Sequence, residues 1–165
     1  MLGIISELFG IIFNPIGFVI DVLKDSVVPR NGTVVYCNLG PIEHSGIYIE
    51  CYRQILHRNR RGDIELVPPS DFTWSYGDTI YVSCNDDQSI KSDRAANRAL
   101  TYYRSECWAA YDVVANNCHE FSVGCACDDF HSNAFTFFML EVELKFSTQH
   151  NNWRMWKTEN GKYLY

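Results

Sequence analysis

Five consecutive residues, Asn116, Asn117, Cys118, His119 and Glu120, are the segment of this chain best equipped for chemistry. A thiol is an efficient nucleophile only as the thiolate, and a nearby imidazole and the start of a helix both favour that form. Cys118 can have both. Asn116 or Asn117 can cap a helix that opens at Cys118, and the free N–H groups of its first turn then point toward a developing oxyanion. Asn117 and His119 are accordingly the candidates for capping the helix or binding the oxyanion. The base is expected to be His44, which starts a strand where Ile47 and Ile49 alternate with Gly46, Tyr48 and Glu50. His57 closes the next strand. If the two strands pair as a hairpin, the two imidazoles can share one face, and His57 can orient His44 as the third member of a triad does. The chemistry this implies is attack of Cys118 on an ester or amide carbonyl. His44 moves the proton, and the acyl group passes from the thioester to water, an amine or a hydroxyl.

Positioning these groups requires a sheet and at least two helices. The turn residues Asn31 and Gly32 precede a β-branched and aromatic run, Thr33 to Tyr36. Further strands are expected at Ser45 to Glu50, Gln54 to His57, Asp63 to Val67 and Asp78 to Ser83, spaced like an antiparallel meander. Ser89 to Cys107 holds strong helix formers without proline or glycine and predicts a helix. A second helix should open near Cys118 and run toward Cys125. The apolar stretch Ala134 to Leu144 fits helix or strand, and the polar segment from Asn151 to Tyr165 carries no clear signal.

Two segments resemble the lecithin:retinol acyltransferase family. EHSGIYIECYRQILHRNRRGDIELVPPSDF, from Glu43 to Phe72, is similar to that family's pattern of a histidine opening an H-x-x-I-Y strand. A second histidine near the end of the following strand and a downstream acidic-apolar strand complete the pattern. RALTYYRSECWAAYDVVANNCHEFSVGC, from Arg98 to Cys125, resembles the family's helix and its N-C-E-H-F nucleophile motif, with His119 and Glu120 in inverted order. The resemblance implies an α+β, circularly permuted papain-like fold. In it a small antiparallel sheet is flanked by helices and the nucleophile lies at a helix N-terminus. It also implies Cys118 as nucleophile, His44 as base and His57 as its partner. Members of that family often carry a C-terminal membrane anchor, whereas the most apolar segment here is N-terminal.

Composition sets the outer limits. The 165 residues suit one domain. The expected division is an apolar helical segment over 1–30, a catalytic domain over 31–145 and a tail over 146–165. With 47% apolar and 15% aromatic residues the chain should be globular. Fourteen basic against twenty acidic residues give a net charge of −6, and the only dense basic run surrounds Arg58, Arg60 and Arg61, so nucleic acid is not an expected partner. Seven scattered cysteines cannot all pair with one another and fit reduced thiols in a cytoplasm. Leu8 to Ile20 contains no charge but falls short of the roughly 20 apolar residues of a membrane span. Asn14 and Pro15 divide the region into two short helices, over 2–13 and 15–25, that either contact a membrane peripherally or pack on the core. Cys118, His119, Cys125, Cys127, Asp128 and His131 include zinc-ligand types. The single residue between Cys125 and Cys127 on a helix points them apart, so no metal and no cofactor is expected. The expected activity is a thiol-dependent acyltransferase or hydrolase acting on a lipid ester. A cysteine peptidase or amidase using the same residues, and a non-catalytic membrane-associated module, are the alternatives.

Overall fold

A computed structural model describes residues 25–74, 79–105 and 117–165. The N-terminal segment expected to form two helices, Cys107 and Asn116 lie outside the described residues. The chain is α+β, built on an antiparallel sheet. Its strands are β1 (Val34–Leu39), β2 (Ile42–Ile49), β3 (Gln54–Arg58), β4 (Ile64–Val67), β5 (Ile80–Asn85), β6 (Gln88–Ser89) and β7 (Asn152–Met155). β8 (Thr158–Glu159) and β9 (Lys162–Tyr163) form a separate hairpin. The helices are α1 (Pro69–Phe72), α2 (Asp93–Ser105), α3 (Cys118–Cys127) and α4 (Phe137–Ser147), the last resolving the apolar stretch after Ala134 as helix.

The sheet order is β4-β3-β2-β1-β5-β6, with β7 also on β5. The first four strands form the expected meander, but β5 does not continue it beside β4. Pro68 and Pro69 end that run in α1, and β5 returns to pair with β1, Val35 opposite Val82. The C-terminal segment, silent in the sequence, supplies β7, which pairs with β5 over Tyr81 to Cys84 and buries Trp153. It therefore belongs to the sheet of the 31–145 region.

Both faces of the sheet are buried, which is why β1 opens on the unbroken apolar run Val34 to Cys37. Alternation sorts the residues. Val34, Ile47, Ile49 and Leu56 pack with Ala96 and Ala99 of α2, Phe121 and Val123 of α3, and Leu140 and Leu144 of α4. Val35, Cys37, Tyr48, Ile55 and Val82 instead join Phe72 of α1 and Trp156 near the C-terminus. One face is thus covered by the three long helices and the other by α1 and the C-terminal residues. Among the described residues no helix is long and apolar enough to cross a membrane.

Candidate active site

Helix α3 begins at Cys118 because Asn117 stops the chain from continuing helical backwards. With extended backbone (φ −96°, ψ −176°), Asn117 accepts hydrogen bonds on Oδ1 from the N–H groups of His119 and Glu120. The Glu120 carboxylate in turn accepts from the Asn117 N–H. This reciprocal capping box leaves Cys118 in the first helical position. The Asn117 Nδ2 donates to the Phe135 carbonyl at 2.9 Å, tying the cap to the segment that leads into α4.

β2 delivers two residues to the site. Ser45 turns toward α3, where its Oγ lies 2.9 Å from His119 Nδ1 and 2.9 Å from Ser122 Oγ, and donates to the Cys118 carbonyl at 3.1 Å. His44 packs against Phe72 and Trp74, and its Nε2 lies 2.8 Å from Nδ1 of His57 on β3. The imidazoles meet nearly edge-on, at 89°. The chain of contacts continues outward, with His57 Nε2 3.9 Å from the Glu65 carboxylate, His57 and Glu65 being paired across β3 and β4. Glu65 also accepts from Asn59 Nδ2 and lies 3.6 Å from Arg61.

Cys118, His44, Asn117 and His119 line one pocket of about 480 Å³, together with Leu39, Ile42, Glu43, Arg58, Arg60, Trp74 and Phe135. His57 lies behind His44, almost fully buried at 1% exposure. Among the described residues no hydrogen bond joins the Cys118 sulfur to His44. Such contacts are often long in ligand-free sites and tighten around a substrate.

The thiol and the imidazoles of the site are all shifted toward their neutral forms. Burial pushes the Cys118 thiol up from its ordinary value, and hydrogen bonding from the Ser45 backbone and hydroxyl only partly offsets this. Burial, reinforced by His57, His119 and Arg60, holds His44 well below the ordinary histidine value. Burial also lowers His57 to about 4 and His119 to about 4. Desolvation thus opposes the thiolate that the helix start and the base were expected to favour.

The two oxyanion candidates are engaged elsewhere, since the Asn117 Oδ1 serves the cap, its Nδ2 donates to the Phe135 carbonyl, and the His119 ring is held by Ser45. In the first turn the cap takes the amides of His119 and Glu120 and not that of Cys118. Cys125 is buried in the core, and Cys127 donates to the Glu143 carbonyl at 3.8 Å. Four participants escaped sequence reasoning. Ser45 carries no signal of its own. Glu65 could have been found from strand register, being opposite His57, and Arg58 and Arg60 stood only as a charge run. Comparison of the chain with protein families, curated proteins and solved structures finds no match.

Proposed function

We propose that the chain is a thiol-dependent acyltransferase or hydrolase working through a thioester on Cys118, with a lipid ester as its acyl donor. The observation that carries this reading is one pocket lined by both a cysteine at a capped helix start and a histidine whose far nitrogen is held by a second histidine. Because the resting groups are neutral, the proton leaves the thiol as the sulfur attacks. His57 occupies Nε2 of His44, leaving Nδ1 to take that proton and then deliver it to the departing oxygen or nitrogen. The Cys118 amide, which the cap does not use, is placed to bind the oxyanion. Hydrolysis or transfer to a hydroxyl or amine then frees the thiol.

The lipid preference is supported by the apolar wall of Leu39, Ile42, Trp74 and Phe135, with Ile42 60% exposed at the surface. The resemblance to the lecithin:retinol acyltransferase family and its circularly permuted papain-like arrangement supports the order of base before nucleophile. A cytoplasmic location with peripheral membrane contact through residues 1–25 completes the reading. The test is to incubate the protein with a diacyl phospholipid, quench in acid and weigh it. A gain of one acyl chain that hydroxylamine removes and Cys118→Ala abolishes is expected. Full acylation of the Cys118→Ala protein would refute the nucleophile, and trapping by a peptide aldehyde without any lipid adduct would favour the peptidase.

A further inference from the structure

The same pocket holds two arginines that the thioester mechanism does not use. Arg58, the last residue of β3, is only 6% exposed, and its Nε is buried without a hydrogen-bond partner among the described residues. Arg60 is exposed at the pocket wall, with its guanidinium carbon 4.3 Å from the centre of the Trp74 ring. Stacking occupies the flat face of that guanidinium and leaves its N–H edges free to donate. Neither residue forms an ion pair among the described residues. Two acids lie nearby: Glu43 lines the pocket, and Glu120 acts on Arg58 from a distance while its carboxylate caps Asn117. A buried guanidinium without a bonded anion is costly to maintain, and its planar fork matches the two oxygens of a carboxylate or phosphate.

We propose that Arg58 and Arg60 form a subsite for an anionic group, phosphate or carboxylate, carried by the acyl substrate close to the carbonyl that Cys118 attacks. This rests on the assignment of Cys118 as nucleophile. Arg58 supplies the buried fork and Arg60, steadied on Trp74, closes over the anion from the solvent side. The subsite sorts substrates by charge, favouring acyl donors with a negative group beside the ester over neutral esters of the same chain length.

Two alkylating reagents of nearly equal size test this without requiring turnover, because iodoacetate is anionic and iodoacetamide neutral. The ratio of iodoacetate to iodoacetamide rate is measured by peptide mass spectrometry at Cys118, with exposed Cys51 as internal reference. The ratio at Cys118 should exceed that at Cys51 by about tenfold or more, the factor a charge-assisted hydrogen bond provides. Arg60→Gln, at a surface position that does not endanger folding, should bring the ratio down toward that of Cys51. Arg58→Lys, which keeps the charge but loses the fork, should lower it less. Equal ratios at the two cysteines of the wild type overturn the subsite. If neither reagent modifies Cys118, its buried neutral thiol is closed to alkylation and the nucleophile assignment is decided by the acyl adduct alone. The subsite is then judged by whether inorganic phosphate, against chloride at equal ionic strength, raises the melting temperature of wild type but not of Arg60→Gln; no rise overturns it. Protection of Cys118 from iodoacetamide identifies the source of the anion. Protection by vesicles of an anionic phospholipid alone indicates a headgroup, protection by inorganic phosphate or acetate as well indicates a soluble anion, and no protection by any of them counts against the proposal.

Discussion

At the scale of single residues the site is defined by what burial does to ionisation. A thiol pushed up and an imidazole held down cannot form a resting ion pair, so the reaction depends on proton transfer during attack. The acylation rate should therefore stay flat from about pH 8 through the ordinary histidine value near 6.5, with no inflection there as long as the protein stays folded. A stopped-time pH profile of adduct formation checks this, and an inflection at 6.5 would show that His44 titrates like an exposed imidazole. The two histidines also differ in the cost of their loss. His44→Gln removes the base and should slow acylation by about 10²- to 10⁴-fold. His57→Gln should cost less, because glutamine can still hydrogen-bond to Nε2 of His44. If the two variants prove equally impaired, His57 is more than a positioning group.

At the scale of elements, the nucleophile depends on one helix cap and one close strand approach. Asn117→Ala removes the acceptor of two amide bonds and the donor to Phe135, and should destabilise the protein by about 1–2 kcal/mol in urea unfolding. Asn117→Asp keeps the acceptor and should recover most of that loss. Gly46 gives a sharper case, because a Cβ there would come within 2.8 Å of the Leu56 carbonyl and 3.1 Å of the His57 Cβ. Gly46→Ala must push β3 away from β2, separating His57 from His44, and should lower the acylation rate more than it lowers stability. What was legible beforehand follows from local signals: Asn117 before an apolar helix, and turn residues between β-branched runs. The place of β5 beside β1 and the capture of the C-terminal segment as β7 were not legible. They depend on pairings between distant segments, and β7 reads NWRM, whose alternation over four residues is too short to mark a strand. The loss of thiolate activation was equally invisible, because burial of Cys118 is a property of the packed site rather than of its neighbours in sequence.

At the scale of the whole molecule, the frame holding the site can be separated from what precedes it. Val27 pairs with Trp156 and exchanges backbone hydrogen bonds with Met155 and Lys157, so a cut after residue 25 leaves this junction in place. Deleting 1–25 should abolish sedimentation with liposomes while preserving a cooperative melt. A truncated chain that no longer folds would instead assign the segment to the core. The folded frame also carries an acid-sensitive charge pattern. His44, His57, His119 and His150 are all buried, and burial is the leading cause that lowers each, the last three to about 4. In the unfolded chain each takes up a proton near pH 6.5, whereas the native state refuses it until the lower value. Between those limits the unfolded state binds more protons, so stability is complete above about pH 6.5 and is lost as pH falls toward 4. Each of these imidazoles therefore withdraws stability over that window, in the direction its lowered value sets. The protein should accordingly unfold on acidification between pH 6.5 and 4, before most carboxylates are protonated, and circular dichroism melts at half-unit pH steps will show it. His150 lies outside the active site, with Nδ1 on Ser83 and a buried, unpartnered Nε2, so His150→Gln should move the midpoint to lower pH while leaving Cys118 acylation unchanged. A melting temperature that stays level from pH 7 to 4.5 would mean that these imidazoles are protonated in the native fold, and the neutral resting state of the catalytic pocket would fall with it.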